Sequence, residues 1–228
     1  DMKKAADVVK RENTRVAKLI GINKAARTTC VKPAGTTSLV LGTSSGIHAW
    51  HNDYYIRRLR VGKNEAIYSY LKIHHPELIE DEYFRPHDTA VIEIPQSSPK
   101  KSIVRTESAF DLLERVKKVS EEWVKPGHRK GSNTHNVSAT ISLKADEWDR
   151  AGEWMWDNRE CYNGLSVLPY NGGTYTQAPF EDITKKQFEE MSKSLQDVDL
   201  EKVVELDDNT DLSGELACAG GSCEVTSL

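Results

Sequence analysis

Cysteine is scarce in this chain, with four residues, at positions 30, 161, 218 and 223, among 228. That is too few for a disulfide scaffold in a chain of this length, so we expect a reducing compartment, the cytoplasm. No apolar run reaches the roughly 20 residues that a membrane-spanning helix needs. Net positive charge is also missing, since the formal net charge is −4. A general nucleic-acid binder would usually be basic. We therefore expect neither a membrane nor a nucleic acid as partner.

Metal-binding patterns are missing as well. The seven histidines are scattered, and no pair shows the spacing of a helical metal site such as His-Glu-x-x-His. We therefore predict no metal site built from side chains.

Composition and periodicity indicate a globular α/β protein. Hydrophobic residues make up 38% and charged residues 29% of the sequence, which suits a chain with a packed core. Strand and helix patterns alternate, and this favours an α/β architecture with parallel strands. The predicted helices cover residues 1–20, 64–74, 109–124, 145–156 and 184–195, and the predicted strands cover residues 27–31, 54–61, 89–94, 136–143 and 165–170.

A strand, a tight turn and a helix start are predicted in succession over residues 27–41. Proline and glycine break the strand at positions 33–35, and residues 36–38 place three hydroxyls ahead of an apolar run. Glycine lets the backbone approach a ligand, and hydroxyl and free N–H groups at a helix N-terminus suit a phosphate. An ordinary helix N-cap, where Thr and Ser are common, explains the same residues. His48, Trp50 and His51 flank this loop and are candidate ligand contacts.

The C-terminal segment has a different character. From residue 197 it is acidic and poor in aromatics, and its last residues are mostly small. Such a composition cannot offset the entropy of ordering, so we predict a mobile tail over residues 197–228. Two glycines between Cys218 and Cys223 allow the two sulfurs to meet, as in a dithiol that shuttles between a buried partner and an external reductant. A zinc site would need two more soft ligands, and incidental cysteines are the remaining alternative.

Other chemically notable residues have structural interpretations. We expect Cys30 to be buried in a strand as a small hydrophobe, and Cys161 to be structural as well. Three tryptophans, Trp148, Trp154 and Trp156, fit core packing better than a stacking platform. Arg58 and Arg60 share one face of a predicted strand, which either neutralises phosphate or forms a solvated edge.

Several stretches, taken in order, resemble the large chain of ribonucleotide reductases. Residues 32–38, followed by residues 42–48, are similar to the substrate-phosphate loop of that family. Residues 136–140, and residues 162–170 continuing to 172–175, resemble two later segments. Residues 218–223 are similar to the redox-active cysteine pair at the family's C-terminus. No single stretch is decisive, but the ordered set is specific and covers nearly the whole chain.

The resemblance implies the C-terminal part of a ten-stranded α/β barrel over residues 1–196, followed by the flexible tail. In that family a cysteine thiyl radical abstracts the ribose 3′ hydrogen, and a cysteine pair reduces the 2′ carbon. The radical cysteine sits in an Asn-x-Cys-x-Glu loop that this sequence lacks, so we expect no catalysis without the N-terminal part of the reductase. A partial barrel should also expose apolar surface and unpaired edges.

The resemblance also assigns site residues and partners. Cys218 and Cys223 would re-reduce the active-site cysteines and be restored by thioredoxin or a related reductant. The residues matched to the substrate-phosphate loop are Ala34, Gly35, Thr36, Thr37 and Ser38.

The predicted strand over residues 166–170 lacks the adjacent Tyr-Tyr pair of the iron-dependent class. The sequence looks more like the adenosylcobalamin-dependent class that reduces ribonucleoside triphosphates, although the residues do not identify cobalamin contacts. Three alternatives stay open: an iron-dependent diphosphate reductase, a non-catalytic split-gene or accessory subunit completing a partner chain, and an unrelated nucleotide-binding α/β domain. Because the numbering begins at Asp1 inside a predicted helix, we also expect a fragment or a split or processed chain.

Overall fold

The computed structural model describes residues 1–170, 175–195 and 197–207. These residues form two compact units. The first unit contains residues 1–49 and 106–170, and the second contains residues 50–105 together with the described residues from 175 to 207. The predicted domain boundary after residue 196 stays a prediction. Residues 198 and 203, in the acidic segment, pack against the apolar cluster of the second unit.

The described residues form six helices and six strands. In chain order they are α1 (Met2–Ile20), α2 (Thr36–Val40), β1 (Tyr54–Gly62), α3 (Ala66–His74), β2 (Ile79–Asp81), β3 (Thr89–Ser97), α4 (Ala109–Val119), β4 (Thr140–Leu143), α5 (Trp148–Asp157), β5 (Ser166–Pro169), β6 (Phe180–Asp182) and α6 (Lys185–Leu195). Single-turn 3₁₀ segments lie at Pro76–Leu78, Arg159–Cys161 and Leu200–Lys202, and a π-turn, Ser120–Val124, continues α4. Within these ranges no helix combines the length and apolar content needed to cross a membrane.

Local sequence signals account for the ends of the longer helices. The Ser108 hydroxyl accepts a hydrogen bond from the Asp111 N–H, and the Asp111 carboxylate accepts one from the Ser108 N–H, which together form a capping box at the start of α4. Helix α1 ends at Gly21, whose φ of 74° is left-handed. Glycine tolerates this conformation because it has no Cβ.

The first unit packs α4 against the two parallel strands β4 and β5. Residue Thr140 pairs with Ser166, and the register continues to Leu143 and Pro169. Upstream, Val31 forms an isolated parallel bridge with Val137, which extends the parallel arrangement to the segment before α2. The core residues are Ala109, Leu112, Leu113, Val116, Val119, Val124, Val137, Ala139, Ile141, Leu143 and Ala151. Each large apolar side chain buried there contributes about 1.5–3 kcal/mol of burial free energy.

The second unit is a four-stranded antiparallel sheet in the order β2-β3-β1-β6. The prediction of parallel strands is therefore wrong for this part of the chain. Strands β1 and β2 do run in the same direction, as expected for two strands joined through α3, but β3 lies between them and is antiparallel to both. The short β2 strand, only three residues long, was missed because it carries too few residues for a periodic signal.

The described elements establish a mixed α/β architecture, while the ten-stranded barrel stays a prediction. The predicted helices and most strands are present with ends shifted by a few residues. The exception is the predicted strand over residues 27–31, which forms only isolated bridges at Arg27 and Val31.

Candidate phosphate loop and its anchors

The predicted phosphate loop, residues 34–38, forms the turn that leads into α2. Gly35 has a φ of +51°, a left-handed conformation that favours glycine. Its N–H donates to the Ser45 Oγ at 3.3 Å. The Thr37 N–H donates to the Ala34 carbonyl and the Ser38 N–H to the Gly35 carbonyl, each at 3.2 Å. Three of the backbone donors expected to face a phosphate thus have internal acceptors.

These internal bonds are long, and two are of the i→i−3 type found in the 3₁₀ turns that are frequent at helix ends. The Ser38 hydroxyl also points inward, since it donates to the Gly35 carbonyl at 2.7 Å and Ser38 is only 3% exposed. Thr37 is exposed. A phosphate bound here would have to exchange with the long internal bonds, so the phosphate role of residues 34–38 stays a prediction.

A second glycine-rich segment, residues 42–48, follows α2 and folds back onto the residues before it. Gly42 and Gly46 have φ values of 61° and 60°. A Cβ added at Gly46 would lie 3.1 Å from the Lys32 carbonyl oxygen, which is closer than side-chain carbons normally approach. Glycine at position 46 therefore permits both the backbone conformation and the close contact with Lys32.

His48 connects this segment to β4. Its Nδ1 lies 2.8 Å from the Ser45 carbonyl oxygen, and its Nε2 lies 3.0 Å from the Thr140 backbone nitrogen. A second anchor comes from α4, where the Arg115 guanidinium donates to the Ile47 carbonyl at 3.0 Å and is paired with Glu107. The candidate ligand contact His48 is thus occupied with holding the loop.

The other reductase-like stretches meet in the same unit. The Asn136 side-chain amide donates to the Gly164 carbonyl at 2.9 Å, and the Asn163 amide donates to the Thr134 carbonyl at 2.8 Å. The Asn163 N–H in turn donates to the Asn136 side-chain oxygen at 3.3 Å. These two asparagines join the segment before β4 to the segment before β5. Spacing along the chain carried no signal for this contact, because the partners are about 27 residues apart.

His51 is buried among partners rather than directed at a ligand. Its Nδ1 lies 2.7 Å from Arg105 Nη1, its Nε2 lies 3.0 Å from Asp182 Oδ1, and its ring stacks on Phe180 at 5.0 Å. Burial and the Arg105 charge lower the pKa of His51 to about 4, against the opposing effect of Asp182. The ring is therefore neutral at pH 7. Trp50, the third candidate, forms a backbone bridge with Val104.

Arg58 and Arg60 are already neutralised by protein carboxylates. Arg58 is 9% exposed and contacts Glu93 at 2.7 Å and Glu181 at 2.6 Å. Arg60 lies 3.6 Å from the buried Glu82. These arginines form neither a phosphate-binding face nor a solvated edge. Instead, the ion pairs of Arg58 join β1 to its two neighbouring strands, β3 and β6.

Two predictions about packing need correction. Cys30 is exposed, not buried, because the segment around it forms isolated bridges at Arg27 and Val31 rather than a continuous strand within a sheet. Of Trp148, Trp154 and Trp156, the three predicted to pack in the core, only Trp154 does so. Trp148 and Trp156 are 43% and 70% exposed. Cys161, predicted to be structural, is buried, and burial raises the pKa of its thiol, which fits that role.

No cluster of three or more His, Cys, Asp or Glu side chains that could hold a metal ion occurs in the ranges that the structure describes. Cys218 and Cys223, and the stretch 172–174, lie outside those ranges.

The fold is similar to part of a class II ribonucleotide reductase. Comparison with the crystal structure of a B12-dependent (class II) ribonucleotide reductase gives a TM-score of 0.71 and 25% identity, over 88% of this chain and 28% of that chain. No family model matches the sequence.

Relatives in sequence are adenosylcobalamin-dependent ribonucleoside-triphosphate reductases. The protein of that name from Lactobacillus acidophilus is 30% identical over 213 residues, covering 90% of this chain and 27% of the relative. The one from Euglena gracilis is 26% identical over 223 residues, covering 95% of this chain and 29% of the relative. These homologues confirm the resemblance to the adenosylcobalamin-dependent class. The chain spans about 27% of the length of the curated relatives it matches.

Proposed function

We propose that this chain supplies part of an adenosylcobalamin-dependent ribonucleoside-triphosphate reductase, which reduces ribonucleotides to deoxyribonucleotides for DNA synthesis. One observation carries the proposal. The reductase-like stretches come together through the His48–Thr140 and Asn136–Gly164 contacts, between residues 92 and 28 apart, and the Gly35–Ser45 contact closes the loop region itself. They do so within a chain whose fold resembles a class II reductase over 88% of its length.

Residues 34–38 bind the substrate phosphates in this proposal. The long bonds of the Gly35, Thr37 and Ser38 N–H groups, 3.2–3.3 Å, are weak enough for phosphate oxygens to replace their acceptors. Charge-assisted hydrogen bonds to phosphate are about twice as strong as neutral ones, which favours that exchange. The exposed Thr37 hydroxyl supplies a further donor.

Cys218 and Cys223 form the tail dithiol. Their thiols reduce the active-site disulfide by thiol–disulfide exchange: two S–H groups become one S–S bond in the tail, and the active-site pair regains two thiols. A dithiol protein of the thioredoxin kind then reduces the tail disulfide and is itself oxidised. A cytoplasmic location, where thiols stay reduced, suits this cycle.

Adenosylcobalamin, when bound, supplies the radical chemistry that the relatives' names imply. Among the described residues we identify none that would hold it, so no step is assigned through it. Since the radical cysteine loop is absent from this sequence, the proposed activity needs the N-terminal part of the reductase.

Exposed apolar side chains on the first unit support a role within a larger assembly. Leu19 and Ile20 of α1 are 70% and 62% exposed, and Val40 and Leu41 beside α2 are 81% and 68% exposed. Scattered apolar residues are normal on a surface, but neighbouring exposed pairs at the ends of two helices support a surface that another part of a protein covers.

The alternatives are weaker. Relatives named for adenosylcobalamin and triphosphates do not favour an iron-dependent diphosphate reductase. Matching over at least 90% of the chain disfavours an unrelated nucleotide-binding domain. An accessory, non-catalytic role would leave the phosphate loop unused.

The test is Thr37→Val in the complete reductase that contains this segment. Valine keeps the shape and removes the hydroxyl, so the KM for ribonucleoside triphosphate should rise about tenfold to a hundredfold, the equivalent of one hydrogen bond to a charged group. The control is Thr176→Val, which removes an exposed hydroxyl in the second unit. An unchanged KM in Thr37→Val contradicts the phosphate role.

A further inference from the structure

We propose that His48 is a positioning residue for the phosphate loop, acting through Ser45. This inference rests on the proposed function, because it assigns His48 to the loop that would hold the substrate phosphates. Its basis is a continuous series of hydrogen bonds from β4 to Gly35.

The series begins at the first residue of β4. The Thr140 N–H lies 3.0 Å from His48 Nε2, and His48 Nδ1 lies 2.8 Å from the Ser45 carbonyl oxygen. The Ser45 hydroxyl oxygen then accepts the Gly35 N–H at 3.3 Å. A strand of the parallel sheet is thereby connected to the turn before α2 through one imidazole ring and one serine.

The partners determine the protonation state of the ring. A carbonyl oxygen can only accept, so Nδ1 carries the proton, and a backbone N–H can only donate, so Nε2 is unprotonated. His48 is therefore the neutral Nδ1–H tautomer. No aliphatic side chain, and neither Asn nor Gln alone, presents a donor and an acceptor at these two separations.

The segment that His48 anchors, residues 42–48, is also held by contacts at Gly46 and Ile47. Gly46 lies so close to the Lys32 carbonyl that even a Cβ would meet it at 3.1 Å, and Arg115 holds the Ile47 carbonyl at 3.0 Å. Rigid placement of the supporting residues is what keeps binding groups at productive distances. Ser45 consequently lies beside Gly35, where its hydroxyl oxygen accepts the Gly35 N–H. If a phosphate oxygen replaces it as the acceptor, the same hydroxyl can donate to the phosphate.

Three substitutions of His48 in the complete reductase separate positioning from general packing. His48→Asn keeps a donor near the Nδ1 position for Ser45, His48→Gln keeps an acceptor near the Nε2 position for Thr140, and His48→Ala removes both. We expect His48→Ala to raise the KM for ribonucleoside triphosphate about tenfold with little change in kcat. His48→Asn should have a KM close to the wild-type value, whereas His48→Gln should keep the raised KM. His48→Gln should nevertheless protect the Thr140 amide from hydrogen exchange.

A merely structural role predicts a different pattern, in which Asn and Gln behave alike and KM follows the loss of thermal stability. That pattern, or an unchanged KM in His48→Ala, overturns the inference. If His48→Ala does not fold, Ser45→Ala tests the same link without altering the ring, and a KM unchanged in that variant also overturns it. His87→Ala is the control, since that side chain is 78% exposed.

Comparison with Thr37→Val distinguishes the two proposals. If Thr37→Val raises KM and the His48 and Ser45 variants do not, only the positioning role fails. If Thr37→Val leaves KM unchanged as well, the phosphate-binding function itself fails.

Discussion

Acidification should destabilise the second unit through the buried imidazole of His51. In the folded protein the ring is held between Arg105 and Asp182 and stacks on Phe180. Its pKa falls from 6.5 to about 4, first because burial penalises the imidazolium and next because Arg105 repels it. Unfolding exposes the ring to water and restores the ordinary pKa.

The sign and the size follow from proton linkage. Between pH 6.5 and pH 4 the unfolded state binds a proton that the folded state does not, so stability is fully present above pH 6.5 and is lost as the pH falls. For these two pKa values, the free energy of unfolding should drop by about 2 kcal/mol between pH 7 and pH 5. That is a substantial share of the stability of a typical domain.

Urea denaturation at pH 7, 6 and 5 measures this loss, with His51→Asn as the matched variant. The asparagine side-chain oxygen can still accept a hydrogen bond from Arg105, but asparagine does not titrate in this range. The free energy of unfolding of His51→Asn should therefore drop by about 2 kcal/mol less than that of the wild type between pH 7 and pH 5. His87→Asn, at an exposed position, should retain the wild-type pH dependence. An equal pH dependence in wild type and His51→Asn, or an NMR titration of His51 with its midpoint near 6.5, would refute the reasoning.

Gly46→Ala should lower the free energy of unfolding by about 1–3 kcal/mol in urea titrations, because it combines positive φ with a crowded Cβ. Gly42→Ala, with similar φ and open space around its Cβ, should cost less, and the reverse order would show that crowding is irrelevant. Cys218→Ser or Cys223→Ser in the complete reductase should abolish thioredoxin-driven turnover but spare turnover with a small dithiol, which reaches the active-site pair directly. Equal loss with both reductants would place these cysteines in catalysis or folding.

Most helices could be predicted because their signals are local. The apolar periodicity of α4 and the Ser108–Asp111 capping box lie within a few residues of each other. The glycine that ends α1 directly follows the last residue of that helix. Interactions of this range are decided by neighbours along the chain. The strand patterns of β1, β3 and β5 were recognisable for the same reason.

Strand direction and side-chain partners could not be predicted in this way. Strand β3 lies between β1 and β2. The alternation of strands and helices along the chain neither requires nor excludes this position of β3 in the sheet. Arg58 finds its carboxylate at Glu93, 35 residues away, and a backbone acceptor at Ala178, 120 residues away. Such pairs depend on how the sheet assembles, so an alternating strand pattern indicated only that Arg58 and Arg60 share a face.

By itself, the sequence determined the family resemblance and the order of its motifs, because these depend only on residue types and their spacing. Tertiary structure alone decided that residues 32–48, 136–140 and 162–164 meet in one unit, and that His48 faces Ser45 and Thr140 rather than a ligand. It also decided that three loop N–H groups have internal acceptors. The physical reason is that a backbone donor takes whichever acceptor the folded chain brings within about 3 Å, and distant segments supply that acceptor.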